Sequence, residues 1–319
     1  MPFFSVIVPV FNRASVLGAA IRSVLDQTCQ DFEIIVVDDG SSDNPRAAMD
    51  AIGDPRVRFL RQENQGGGTA RNTGINAAQG HFIALLDSDD VFLPHHLKDM
   101  KAMVEGTRNI VGYARVQVNR GDGRTFLKPP RAIRAGEDMA EYLLCERGFV
   151  PTITIVVERE MAKRVRYHPR LRAAEDTDFA IRLALEDCEF KMLEQPGAVW
   201  NDLHDPGRVS ARNRAEGFGT WLAQMEPLLS RRARHGARGW AYAKMLAHNG
   251  HKLKALRLYL TALCHGCYRP RLAAVIFLQI FLNAKNYRTL ADAGIGWFHM
   301  GLRAPLNHKP AASKPLETA

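Results

Sequence analysis

Apolar and polar positions in the first ninety residues switch between two periods. "FFSVIVPVF" (3–11) and "FEIIVVDDGS" (32–41) are short β-branched runs, the kind of segment that forms buried strands. Between them, Ala14 to Gln27 carries Val16, Leu17, Ala20, Ile21, Val24 and Leu25 at helical spacing. "RVRFLRQ" (56–62) predicts a third strand, "GTARNTGINAAQG" (68–80) a helix closed by Gly80, and "HFIALLDSDD" (81–90) a further strand. Strands separated by helices predict an α/β fold, with a mostly parallel sheet and helices on both faces. Such sheets bind ligands beyond the carboxyl ends of their strands. Asn12, Asp38, Asp39, Asn64 and Asp87 fall at those ends and are expected to converge on one crevice.

From about residue 91 to 215 the pattern is less regular. Strands are expected at Asn109–Val118 and Thr152–Val157, and an acidic helix start at "AAEDTDFAIRLAL" (173–185). Further on, "GWAYAKMLAHNGHKLKALRLYLTAL" (239–263) predicts two helices around an Asn249-Gly250 turn. The tail from about Arg303 is rich in Pro, Ala and Lys and is expected to be disordered.

Charge adds an asymmetry that the periodicity does not show. Residues 1–210 hold 26 Lys and Arg against 30 Asp and Glu, a net of −4, while residues 211–319 hold 17 against 4, a net of +13. The basic character therefore belongs to the last third, where it suits nucleic acid or an anionic membrane surface. The longest apolar run, Leu272 to Ala284, is interrupted by Gln279 and Asn283 and is shorter than the roughly 20 residues that span a bilayer. Arg269 and Arg271 precede it, and Lys285 and Arg288 follow it. Such a segment can lie in the headgroup plane or pack as a buried helix. The start has no basic n-region, so no secretory signal is expected. Five scattered cysteines fit a reducing cytoplasm better than a disulfide framework. "CHGC" (264–267) has redox spacing, but no second Cys or His pair accompanies it as a zinc site would require.

The chemistry concentrates in "LLDSDD" (85–90), where Asp87, Asp89 and Asp90 follow an apolar run. Their mutual repulsion calls for a cation, backbone N–H groups or open water. Four segments occur in order, "SVIVPVFNR" (5–13), "VVDDGSSDN" (36–44), "NQGGGTARNTG" (64–74) and "LLDSDD", with "AAEDTDFAIRL" (173–183) at a distance. Together they resemble the family 2 glycosyltransferases, inverting enzymes of the GT-A fold that use nucleotide-sugars. The resemblance covers residue 4 to about 215 and leaves the basic third outside it.

The resemblance implies a Rossmann-like α/β/α sandwich of the GT-A type plus a C-terminal helical extension. The GT-A domain would span 1–215, with a nucleotide-sugar-binding half (1–115) and an acceptor and catalytic half (116–215). A basic extension (216–302) and the tail (303–319) follow. By the same resemblance, Asp89 is the main ligand of a divalent metal, Mg²⁺ or Mn²⁺, and Asp87 reaches the ribose or supports the metal site from behind its ligands. Hard cations of this kind favour carboxylate and phosphate oxygens. Asp90 is either a turn cap or a ligand. Asp39 accepts from the nucleobase edge, Pro9 and Phe11 line the base pocket unless Phe11 is core, and Arg71 approaches the diphosphate or base while Asn72 orders the loop. Asp176 is the catalytic base, with Glu175 next in line, and Asp178 is helix surface. His204 completes the metal shell or touches the diphosphate. Just before the Glu175-Asp176 pair, "YHPRLRA" (167–173) replaces a commonly acidic stretch, which puts acceptor contacts in doubt and not donor chemistry.

The expected partners are a nucleotide-sugar, UDP-linked by preference, and a saccharide or lipid-linked saccharide acceptor of cell-surface or exopolysaccharide biosynthesis. The protein is expected in the cytoplasm, with an anionic membrane face as a further partner and no nucleic acid. Two competing readings are a sugar-1-phosphate nucleotidyltransferase and a basic nucleic-acid- or membrane-surface-binding protein. The first needs its glycine loop at the N-terminus, and the second leaves the ordered acids unexplained.

Overall fold

The structure, a computed structural model, describes residues 1–121, 125–171, 174–202, 215–282 and 286–287. The chain opens with β1 (Phe4–Val10), α1 (Ala14–Leu25), β2 (Phe32–Asp38), α2 (Pro45–Asp50), β3 (Val57–Arg61), α3 (Gly67–Ala77) and β4 (Phe82–Leu85). β5 (Val91–Phe92), α4 (His96–Val104), β6 (Ile110–Asn119), β7 (Thr125–Lys128) and α5 (Met139–Cys145) follow. Then come β8 (Val156–Glu158), α6 (Arg159–Val165), α7 (Glu175–Leu185) and β9 (Glu189–Asn201).

All nine strands form one sheet in the order β3-β2-β1-β4-β8-β6-β9-β5, with β7 paired to β6. β1 runs parallel to β2 and β4, and β2 to β3. The long β6–β9 pairing is also parallel, so most of the register is parallel even though β5, β7 and β8 pair antiparallel. Strand order reverses at β1, whose neighbours lie one on each side. Its carboxyl end is the switch point at which open α/β sheets bind ligands.

The alternation of β1 and β2 sorts their side chains onto the two faces. Val6, Val8, Ile34 and Val36 join one fully buried cluster with Leu17 and Ile21 of α1 and Leu97 and Met100 of α4. Ile7, Ile35 and Val37 join the other with Ala70 and Ile75 of α3 and Phe179 of α7. Each such side chain contributes about 1.5–3 kcal/mol, which is why these strands read as continuous apolar runs. Close helix–sheet approach rests on Gly74, where an added Cβ would lie 2.4 Å from Ile7 Cγ2.

Three expectations are corrected. α3 ends at Ala77 rather than at Gly80. Gly80 instead lies against the Phe4–Ser5 backbone, where a Cβ would come within 2.6 Å. Thr152–Val157 is not one strand, because Thr152–Thr154 forms a 3₁₀ turn ahead of β8. The Thr154 hydroxyl sits 3.1 Å from both the Ala114 N–H and its carbonyl, so a side chain takes the ladder's place. Asp178 is not helix surface. It is 1% exposed, accepting from Trp221 Nε1 at 2.7 Å and from Arg182 Nε at 2.9 Å.

Trp221 belongs to α8 (Ala215–Met225), which begins a helical layer continued by α9 (Arg231–Ala237), α10 (Ala243–His248), α11 (Lys252–Cys264) and α12 (Pro270–Phe281). Gly250, at φ +90°, makes the turn between α10 and α11, where only glycine is unstrained. The layer continues the core under α5 and α7, and Arg232 pairs with Glu141 at 2.9 Å. On α12, Ala273, Ile276 and Ile280 are buried while Phe277 and Leu278 remain exposed. Lys285 and Arg288 lie outside the described residues. No helix among the described residues is long and apolar enough to cross a membrane.

Candidate active site

The carboxyl ends of β1, β2 and β4 face one crevice, and the loops above them are bonded to each other. Asn12, in the left-handed region at φ +52°, accepts at Oδ1 from the Ser42 N–H at 2.8 Å. Its own N–H donates to Ser41 Oγ at 2.9 Å. Pro9 is half-buried on β1. Phe11, just past the strand, is 45% exposed and is therefore not core.

Asp39 follows β2 and is almost fully buried. Its Oδ1 accepts from Gln62 Nε2 and the Gln65 N–H, both at 2.8 Å, and its Oδ2 accepts from the Gly66 N–H at 2.7 Å. The glycine loop ahead of α3 thus spends these N–H groups on a carboxylate of its own chain. A phosphate-cradling loop would leave them to the ligand. That geometry does not favour the nucleotidyltransferase reading.

Arg71 joins the two halves of the crevice. It is 6% exposed, donates from Nη2 to Asp87 Oδ1 at 2.6 Å, and holds Nη1 4.0 Å from Glu175 Oε1. Its guanidinium lies 5.2 Å from the Tyr167 ring centre. Nη1 and Nε have no hydrogen-bond partner among the described residues, so the cation acts on the surrounding acids chiefly through its charge. Although burial opposes its ionisation, Asp87, Asp176 and Glu175 hold the guanidinium above the usual arginine range. Asn72, beside it, accepts from the Tyr167 N–H and donates to the Tyr167 carbonyl, each at 2.8 Å. That fixes the chain ahead of α7 against α3.

The acids of the β4–β5 loop separate by role. Asp89 carries a partly exposed carboxylate 3.1 Å from Arg13 Nη1. Asp87 is partly exposed as well, at 35% of its side chain. Asp90 Oδ1 accepts from the Asn201 N–H at 2.7 Å, and the Asp89 carbonyl accepts from Asn201 Nδ2 at 2.7 Å. Asp90 therefore docks its loop onto the end of β9. His204 lies outside the described residues.

Asp176 opens α7 beside Glu175. Its Oδ1 is buried with no hydrogen-bond partner among the described residues. Burial pushes its carboxyl up to about 7, with the neighbouring Glu175 adding to the rise and Arg71 opposing it. The Thr152 hydroxyl lies close enough to oppose it further. A carboxylate with a free oxygen and a pKa near neutrality is suited to accept a proton from a substrate hydroxyl. Sequence reasoning missed Arg13, Thr152 and Tyr167. Arg13 ends the "SVIVPVFNR" segment and was visible there, but nothing in the sequence placed Thr152 or Tyr167 near the acids.

The model of "Glycosyl transferase family 2" matches residues 5–166. The amylovoran biosynthesis glycosyltransferase AmsB of Erwinia amylovora is 31% identical over 72% of this chain and 79% of its own length. The succinoglycan biosynthesis protein ExoO of Rhizobium meliloti is 39% identical over 40% of this chain and 36% of its own. Among solved structures, TarS of S. aureus (residues 1–349) in complex with UDP-GlcNAc has a similar fold. Its TM-score is 0.62 at 18% identity, over 92% of each chain. The matched segment includes the Asp39 clamp, the Arg71–Asp87 pair and the Asp89 loop, and the chain belongs to glycosyl transferase family 2.

Proposed function

We propose that this glycosyltransferase takes its sugar from a nucleotide-sugar, UDP-linked by preference, and inverts the anomeric centre. The acceptor would be a saccharide or a lipid-linked saccharide of cell-surface or exopolysaccharide biosynthesis, as the names of AmsB and ExoO suggest. The observation that carries this reading is the buried Asp176 Oδ1, without a hydrogen-bond partner among the described residues, on a carboxyl with a raised pKa beside the same arginine as Asp87.

Asp87 and Asp89 fit a hard divalent cation, Mg²⁺ or Mn²⁺, because both present partly exposed carboxylate oxygens. Each is already paired with a positive charge that a cation could replace. Among the described residues, no three His, Cys, Asp or Glu side chains gather closely enough to hold the ion alone, so phosphate oxygens would supply the remaining positions. When bound, the ion would neutralise charge on the departing diphosphate.

Asp39 has three of its roughly four acceptor positions filled, and the remaining one on Oδ2 would take the imide N–H of uracil. Pro9 and Phe11 would flank the base. Asp87 would turn towards the ribose, while Arg71 keeps the acids apart. His204 remains the candidate third ligand. Asp176 would take the acceptor hydroxyl proton as that oxygen attacks the anomeric carbon. Single displacement forms no covalent enzyme intermediate, so the anomer inverts. In this arrangement residues 1–215 are the transferase domain, divided near residue 115, and 216–302 a basic extension. That extension would bring the enzyme to an anionic membrane face on the cytoplasmic side.

A panel of UDP-, GDP- and dTDP-sugars, read by nucleotide release and by NMR of the product anomer, tests this. UDP-sugars should be turned over fastest with inversion. A retained anomer would overturn the role of Asp176, and preference for another nucleotide would overturn the base assignment.

A further inference from the structure

Beyond the acids, at the carboxyl ends of β6 and β9, lies a group of opposite charge. The Lys128 ammonium stands 5.0 Å from the Trp200 ring centre, 5.7 Å from Phe126 and 5.8 Å from Phe149. Phe149 and Trp200 stack at 5.7 Å, and the Arg120 guanidinium lies 4.8 Å from the Phe126 ring centre. Lys128 is only partly exposed. Its ammonium makes no hydrogen bond or ion pair within contact distance among the described residues, and the groups closest around it are rings.

Such an arrangement is costly for a chain on its own. Cation–π contacts return only part of what an ammonium loses when it is partly taken out of water. Burial pushes the lysine below its usual range, Arg147 pushes it the same way, Asp202 opposes, and Arg120 adds to the fall. The Asp202 carboxylate is 3.8 Å from Arg120. Arg147 is exposed in the left-handed region at φ +59°. Three cations thus share one nearby carboxylate among the described residues, an excess that an incoming anion would balance.

The position of the group indicates which anion. Trp200 precedes Asn201, whose amide groups hold Asp89 and Asp90. Phe149 leads through Pro151 to Thr152 beside Asp176. The cluster therefore borders the metal-binding loop on one side and the proposed base on the other, in the half of the sheet away from the Asp39 pocket. We propose that Lys128, with Arg120 and Arg147, forms an acceptor subsite that receives the acidic group of a carboxylate- or phosphate-bearing saccharide, the rings of Trp200, Phe149 and Phe126 walling it. This rests on the transferase reading above and narrows its acceptor to an anionic one.

The test uses the full chain saturated with UDP, so that the donor site is filled, and measures Kd for glucose, glucuronate and glucose 6-phosphate by NMR titration. At least one anionic sugar should bind tenfold or more tightly than glucose; which one separates a carboxylate from a phosphoryl group as the recognised acid. Lys128→Met should abolish that preference and should not lower the melting temperature, because it removes an uncompensated cation. Arg147→Gln, at an exposed position, should reduce the preference about threefold and serves if Lys128→Met fails to fold. Equal affinity of the wild type for all three sugars would overturn the proposal, as would a preference that is undiminished in either variant. UDP affinity, measured first on the same samples, reports separately on the donor reading.

Discussion

The two halves of the sheet carry their functional charge in opposite ways. Beyond β1, β2 and β4 the carboxylates already have partners: Asp87 has Arg71, Asp89 has Arg13, and Asp39 has the backbone of the glycine loop. Beyond β6, β7 and β9 a cation lies among rings without an ion-pair partner among the described residues. Asp176 stands between the two halves with one oxygen unpartnered. The difference teaches how, in the proposed reading, one crevice would hold two anionic substrates. On the proposed donor side, preformed ion pairs would exchange for a cation and a diphosphate, which keeps the acids from repelling each other beforehand. On the proposed acceptor side, the charge would stay uncompensated until the substrate arrives.

The sharpest way to break the comparison is at its midpoint. Asp176→Asn keeps the shape but cannot take a proton, so turnover should fall by about 10²–10⁴-fold while UDP affinity survives. Steady-state kinetics and calorimetry on one preparation check this, and near-normal turnover would move the base to Glu175. On the donor side, Arg71→Met would leave Asp87, Glu175 and Asp176 facing each other without their shared cation. Loss of one partner from a buried pair costs about 3–5 kcal/mol, and denaturant unfolding should show a loss of that order.

Titration sharpens the same point. The Asp176 carboxyl rises from an ordinary 3.8 to about 7, so between those values the native chain holds a proton that the unfolded chain releases. Its contribution to stability is complete below the unfolded value and is lost as pH rises through about 7. Asp176→Asn should therefore match the wild type near pH 4 and exceed it at pH 8, by roughly 2–4 kcal/mol. Wild-type kcat/KM should fall about tenfold per unit below pH 7. Away from the crevice, Asp178→Ala strands Trp221 Nε1 and releases Arg182. It should cost about 2 kcal/mol and lower the melting temperature without changing UDP affinity.

The donor half was legible in the sequence because its strands are buried on both faces and end in acids. Val6 to Val8 and Ile34 to Val37 could hardly be read otherwise, and each run is followed by residues that reach the crevice. The acceptor half was less legible for physical reasons. β9 contains Glu189, Lys191, Glu194, Pro196 and Gly197, a composition that argues against a strand. It pairs with β6 through register shifts near Arg115, and Gly197 is required because a Cβ there would lie 2.3 Å from His96 Nδ1. Lys128 and Trp200 are far apart in sequence, so no local pattern links them. Asp178 looked like one of several helix-opening acids, and only the packing of α8 shows that it is buried.

The central claim is that the acids beyond β1, β2 and β4 receive a nucleoside diphosphate with a divalent cation. Calorimetric titration of UDP into wild type and Asp89→Ala, with and without Mn²⁺, tests it most directly. The wild type should bind UDP tenfold or more tightly with Mn²⁺ than without, and Asp89→Ala should lose that dependence. A variant that binds UDP with wild-type affinity and the same response to Mn²⁺ would contradict the account.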